Sequence, residues 1–326
     1  MVRSIENCTN MRIFPEPKRE IKQEKRKIIK MRIEKNHKKG RWIAAAALTL
    51  AGLSLAVVPG KAVKAATPWV VSASHRGGSA DRHAIERALD RYGKVVLKSG
   101  QTYRLDASIH LHSNQTIVAT GAKIYGNHCI ARNVPEQAKH NRRYSSIKNV
   151  TIIGGPWLPK AKRGYPGRSV FILAHAKNLH FENMTIRANY SGHAIELVAC
   201  KNAVVQGCNI KGVGRSSSSS PEEMVQIDLA GRSTAPFLPG YLQNGVTCHN
   251  IYVLNNYIKG NRAVCANFAK TQSRFRHRKH HNIVVKGNTL IGKNQGLVIY
   301  NTKHKVLQDN KIKNRGKTAK ALVRSF

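Results

Sequence analysis

Four carboxylates, Glu196, Glu222, Glu223 and Asp228, fall within 33 residues of a chain that has only 16 Asp and Glu among its 326 residues. Two carboxyl groups flanking a glycosidic bond can divide its hydrolysis, one protonating the leaving oxygen while the other activates water or attacks directly. Glu223 and Asp228 are the first catalytic candidates, Glu196 is the reserve, and His193 is placed to orient a carboxylate or a sugar hydroxyl. Gln226, Glu222, Arg232, Tyr241 and Asn267 are the candidate substrate contacts around them. Elimination on a uronate polymer is the second chemistry open to such a set. It needs a Lys, Arg, His or Tyr base and a cation on the substrate carboxylate. Calcium would then sit among Glu196, Glu223 and Asp228, since hard cations take carboxylate oxygens, but no fixed ligand spacing marks a site and no metal is assigned. The plain alternative is that Glu222 and Glu223 merely begin a strand and that Asp228 pairs with a nearby Arg such as Arg232.

These side chains meet only if successive segments stack as strands. Setting Ile195 against Val225 puts His193 over Glu223, Glu196 over Gln226 and Val198 over Asp228, each one strand spacing of about 4.8 Å apart. With Val225, Ile227 and Leu229 inward, Gln226 and Asp228 point outward together. The repeat that calls for such stacking is a basic residue, Asn, and then alternating apolar positions. It recurs at Lys148-Asn149-Val150-Thr151-Ile152, Lys177-Asn178-Leu179-His180-Phe181, Lys201-Asn202-Ala203-Val204-Val205, His249-Asn250-Ile251-Tyr252-Val253 and His281-Asn282-Ile283-Val284-Val285, with a degenerate copy at Lys303-His304-Lys305-Val306-Leu307. The Asn-to-Asn steps are 29, 24, 48 and 32 residues, then 22 to His304, and 48 reads as two turns of 24 with one Asn missing. A period in the low twenties with strand alternation predicts a parallel β-solenoid. Asn183, Gly207, Asn255, Asn256 and Gly287 are expected to supply left-handed corners, and Asn at one position of successive coils can stack side-chain amides. A second strand precedes each phrase, as at Phe171 to His175, Ile195 to Ala199 and Leu297 to Asn301, giving two or three strands per coil.

Ahead of the coils, Ser79-Ala80-Asp81 is expected to cap a short helix whose Ala84, Ile85, Ala88 and Leu89 share one face and cover the open end of the solenoid. From Asp81 to Leu105 the chain resembles the opening of the pectate-lyase-like right-handed parallel β-helix superfamily, where a D-x-x-A-I-x-x-A-L-D helix precedes a G-x-V-x-L-x-x-G-x-Y strand pair. The resemblance covers about residues 79–314 and implies an all-β right-handed parallel β-helix with a capping helix. That superfamily includes hydrolases, lyases, epimerases and non-catalytic binders, so the resemblance does not choose a reaction. The polygalacturonase signature is not present in order: Ile227-Asp228 offers one Asp where that family has two, and Gly192-His193 lacks the following Gly. Gly192 to Leu197 and Glu223 to Asp228 instead resemble secreted β-helix repeat proteins of Gram-positive bacteria, which implies a shared surface site of unknown reaction.

The formal net charge is +40, from 56 Lys and Arg. The one long apolar run, Ile43 to Val58, has 16 residues, short of the roughly 20 a spanning helix needs. With Lys35, Lys38, Lys39 and Arg41 before it and Val63-Lys64-Ala65 after it, residues 31–65 read as a secretory signal peptide starting at Met31, and 1–30 as an extension upstream of that start. Membrane contact would come only through an uncleaved leader. The expected exported domain, 66–326, has coils over about 94–314, a basic C-terminal tail, and 40 basic against 11 acidic side chains. Such a surface draws polyanions. The expected partners are an anionic polysaccharide and, through charge, the bacterial cell surface, for a secreted, wall-associated monomer. Cys129, Cys200, Cys208, Cys248 and Cys265, an odd set without CxxC, read as small buried hydrophobes. Basic runs at 139–143, 160–168 and 274–281 lack spaced aromatic platforms, so no specific nucleic-acid partner is expected. Insertions from Gly231 to Cys248 and from Ala269 to His280 are expected to wall a groove beside the carboxylates. Phe237 and Tyr241 would meet sugar rings there, and Arg274, Arg276, Arg278 and Lys279 acidic groups. The sequence thus reads as a glycoside hydrolase or polysaccharide lyase with no cofactor beyond calcium in the lyase case. The alternative is a non-catalytic cationic surface protein binding teichoic acid or exopolysaccharide.

Overall fold

The computed structural model describes residues 69–326 apart from 75, 127–128, 134–142, 160–168, 190–191, 214–221 and 271–272. The extension at 1–30, the expected leader at 31–65, most of the basic run at 139–143 and the run at 160–168 lie outside the described residues. No helix among the described residues is long and apolar enough to cross a membrane.

The chain winds as a right-handed parallel β-helix with three strands per coil. Each coil lays down a strand that begins at the basic-Asn phrase, then a short second strand, then a third that leads to the next phrase. The first strands stack into a nine-stranded parallel sheet running from Trp69–Val71 to Thr302–Gln308. The second and third stacks join in one 15-stranded sheet, because Tyr257–Ala266 and Thr289–Tyr300 pass through both. Period-two alternation sends Val150, Ile152, Leu179, Phe181, Ile251, Val253, Ile283 and Val285 inward, where they are buried. Trp157, Phe171 and Phe181 meet edge to face inside, with ring centroids 5.1 and 5.8 Å apart.

The amide ladder forms. Asn149, Asn178, Asn202, Asn250 and Asn282 each donate to the Asn one coil earlier, starting from Asn114, over 2.7 to 3.0 Å. These same residues take left-handed φ angles of 54 to 57°, so the corner lies at the phrase's own Asn as well as at Asn183, Gly207, Asn255 and Gly287. Asn256 is not left-handed. It is buried, and its amide donates to Val205 O and Asn288 Oδ1 in a second, internal ladder.

Three further details depart from expectation. Lys201–Gln206 pairs directly with His249–Leu254, so the 48-residue step is one enlarged coil carrying an insertion rather than two turns. The ladder begins before Gly93, with Trp69–Val71 on Lys94–Leu97, and continues to Leu322–Arg324. The capping helix spans Ser79–Tyr92, but its N-cap is Gly78 and no side chain caps it. Asp81 is used otherwise: it accepts from the backbone of Ser74 and Arg104, at 2.5 and 2.8 Å, and so ties the helix to the first coils. Ile85, Ala88 and Leu89 form its buried face.

Candidate functional site

The third stack carries the carboxylates. Ile195 pairs with Val225, Glu196 with Gln226 and Val198 with Asp228, while Val225, Gln226 and Ile227 pair with Val264, Cys265 and Ala266 one coil on. Glu196, Gln226 and Asp228 point away from the solenoid interior, yet their exposures are only 5%, 7% and 0%, and that of Glu223 is 4%. Part of the cover comes from the insertions. Ala235, Leu238 and Leu242 of the first lie on Ala174, Val198 and Ala199, and Ala269 and Phe275 of the second pack on Leu229. Apolar side chains facing a sheet bury themselves against it, so the insertions roof this face instead of walling an open groove.

Beneath that roof each carboxylate has its own donor. Ser169 Oγ donates to Glu196, Arg262 Nη1 to Glu223 Oε1 at 2.8 Å, and Gln226 Nε2 to Asp228 Oδ2 at 2.5 Å. Burial, reinforced by the nearby Glu196 and Glu223, pushes the Asp228 carboxyl well above the usual range, and Gln226 and Asn267 offset only part of this. Burial likewise raises Glu196. Burial thus favours the uncharged form of Asp228, whose Oδ1 is buried and without a hydrogen-bond partner. Its donor is Gln226; Arg232 is exposed on the turn beyond the strand. His193 joins its ring Nδ1 to Glu223 O at 2.7 Å, and its Nε2 lies 3.6 Å from Glu222. Among the described residues, the ligand atoms that converge within 4.8 Å belong to His193, Glu222 and Glu223, not to Glu196, Glu223 and Asp228. Tyr241 stands 55% exposed on the outer side of the first insertion.

The open part of the site lies one coil further on. A cavity of about 440 Å³ is lined by the cations Arg262, Lys270, Arg276 and Arg324, the rings of Phe268, Tyr300 and Phe326, and Asn267. Phe268 stacks on Phe326 at 4.4 Å and meets Tyr300 edge-on at 5.1 Å. Among the described residues no Asp or Glu side chain lines it. Arg262 connects the two regions, with one face in the cavity and Nη1 on buried Glu223. Of the expected residues, Asn267 reaches this cavity, as does Arg276 of the second insertion. Arg262, Phe268, Tyr300 and Arg324 were missed because they lie on three different coils. The pairing of Tyr257–Ala266 with Thr289–Tyr300, and of Tyr300 with Arg324, brings them together. A larger cavity, about 710 Å³, lies between Trp69–Val71 and the capping helix, away from the carboxylates.

No protein-family model matches the chain, and no curated protein matches it. Among solved structures the fold has a counterpart. The chain is similar to PfbA, a surface adhesin of Streptococcus pneumoniae. The match has a TM-score of 0.60 at 17% identity and covers 75% of this chain; this chain spans 62% of the adhesin chain. At that identity the likeness carries the architecture and no site.

Proposed function

We propose that this is a secreted, surface-held protein that binds an acidic polysaccharide, taking an anionic sugar in the cavity between Arg262 and Arg324. The observation that carries the reading is the lining itself: four cations and three rings around about 440 Å³, of which Arg262 alone has a recorded carboxylate partner, Glu223, among the described residues. Guanidinium groups recognise carboxylate and phosphate oxygens bidentately, and aromatic rings offer flat apolar surface to a sugar face. The positive charge of the whole chain would concentrate such a polymer at the protein surface. The likeness to a surface adhesin supports a place outside the cell or at its surface, and the net positive charge supports retention there by an anionic polymer. Binding of polygalacturonate and of teichoic acid, measured for the protein and for the Arg276→Ala, Arg324→Ala double variant, tests this. A loss of at least tenfold with an unchanged thermal midpoint is expected; equal affinity for both proteins overturns the assignment.

Cleavage is the second reading, favoured by one observation. Glu223, ion-paired to a cavity-lining Arg, and Asp228, whose carboxyl is raised by burial, stand on one strand, and two carboxyls in unlike surroundings are how a glycosidase divides its labour. New reducing ends on a polysaccharide panel, with loss of turnover and retained binding in Glu223→Gln and Asp228→Asn, would establish hydrolysis. Unsaturated-uronate absorbance that depends on calcium would establish elimination. Silence on both, with binding retained, leaves a binder.

A further inference from the structure

The second stack turns a different face outward, one that neither the cavity nor the carboxylates use. Register places Arg104, Arg187, Lys211, Lys259 and Lys313 in a single outward column, a cation on five of its eight rungs. The column beside it adds Lys123 and Lys311, with Tyr257 between them. Neither column holds a carboxylate, and none of these cations has an ion-pair partner among the described residues. Arg187, Lys211 and Lys259 occupy consecutive coils, about 4.8 Å apart, where like charges directly opposite one another destabilise a sheet. The fold alone gives no reason for such a row. Two tyrosines support it: Arg104 lies over Tyr125 at 5.9 Å and Lys211 over Tyr257 at 5.1 Å. Arg187 Nη1 and, on the next coil, Asn209 Oδ1 are buried beneath this face with no hydrogen-bond partner, so the Arg187 charge is not neutralised from below.

We infer that this face is a binding track for a linear polyuronate lying along the solenoid axis, with successive sugar carboxylates meeting cations of successive coils. The inference rests on the polysaccharide reading for its polymer class, but the site is separate from the cavity. One negative charge per sugar ring matches a cation repeated at about the length of a ring. A single-stranded nucleic acid needs a run of aromatic faces for its bases, and these two columns hold only two rings, Tyr125 and Tyr257. The track leads to the cavity through one strand: Tyr257–Ala266 carries Lys259 on the track and Arg262 in the cavity.

The test uses the whole chain, long polygalacturonate, trigalacturonate, a poly(glycerol phosphate) and single-stranded DNA as probes, and the triple variant Lys211→Gln, Lys259→Gln, Lys313→Gln beside the Arg276→Ala, Arg324→Ala variant. The triple variant is expected to bind long polygalacturonate at least tenfold more weakly, with a shallower salt dependence. Its trigalacturonate affinity and thermal midpoint should be unchanged. Unaltered polymer affinity overturns the track, and so does an equal loss for trimer and polymer. Tighter wild-type binding to the phosphate polymer or to DNA than to polygalacturonate overturns the uronate assignment. If the cavity variant binds normally while the triple variant does not, the cavity reading falls and the track stands.

Discussion

Replacing Arg262 by Leu tests whether buried Glu223 depends on the Arg262 guanidinium. Glu223 is 4% exposed and takes its charge-assisted hydrogen bond from Arg262 Nη1 at 2.8 Å. Removing one partner of a buried pair strands the other and costs about 3–5 kcal/mol. Because the Arg262 side chain is itself 21% exposed, the lower end applies, and at about 2–4 °C per kcal/mol for a domain of this size the thermal midpoint should fall by about 6–12 °C at neutral pH. Adding Glu223→Gln to Arg262→Leu removes the stranded charge and should recover most of the loss. Thermal melts of the three proteins at neutral pH decide it. A fall of less than about 2 °C for the single variant, or a double variant no better than the single, would refute the argument.

His280 is fully buried, with Nδ1 accepting from Cys248 N and Nε2 donating to Asn267 O, and burial pushes its pKa down to about 4. The folded state thus binds fewer protons than the unfolded one between about 6.5 and 4, and up to about 3 kcal/mol of stability should drain away as pH falls through that window. The difference in melting between wild type and His280→Gln isolates this from the opposite trend of Asp228 and Glu196, and a pH-independent difference contradicts it. Asn202 donates to Asn178 and accepts from Asn250 at φ 55°; Asn202→Ala should cost about 1–3 kcal/mol and Asn202→Gly about 1 kcal/mol less, since Gly relieves the left-handed strain. Equal losses in chemical denaturation would show that strain contributes nothing. Cys129 and Cys200, with pKa values pushed up to about 12 by burial, should resist alkylation in the native protein and label fully in denaturant, read by peptide mass spectrometry. Phe181→Ala should cost about 3–5 kcal/mol, because Phe181 fills the solenoid interior against Phe171; a loss under 1 kcal/mol would contradict the packing.

The architecture was legible because a solenoid writes its period into the chain. Each phrase states one strand, and its Asn states the corner. The register of 195 with 225 followed from apolar alternation alone, since a one-residue slip would turn Ile195, Leu197, Val225 and Ile227 outward. Burial was not legible in the same way. Gln226 and Asp228 face outward as polar residues on a strand should, and the roof over them depends on where an insertion starting at Gly231 folds back. Ala235, Leu238 and Leu242 carried that information: three apolar residues at spacings of three and four inside a loop are a surface looking for a partner. Their spacing was not weighed beside the conspicuous Phe237 and Tyr241. Asn256 was misplaced for a related reason, because an Asn next to a left-handed Asn255 reads as part of the same corner, whereas its amide turns inward to pair.

The unequal coil lengths shape how this chain reaches its native form. Every coil docks on the one before it, so closure of each turn is an ordering step whose entropy grows with the logarithm of its length. The turn from Asn202 to Asn250 spans 48 residues against 24 for the turn before it, a doubling that adds only about 0.6 kcal/mol to closure but requires Gly231–Cys248 to seat its apolar residues in the same event. Growth of the solenoid from the aromatic coils around Trp157, Phe171 and Phe181 should proceed quickly to Lys201–Gln206 and pause there. Assembly intermediates, where they accumulate, would end in an exposed strand edge at that rung, the edge most open to pairing with another chain. The segment that roofs the carboxylates is thus also a checkpoint in folding, and changes to it should alter refolding yield well before they alter the stability of the finished protein.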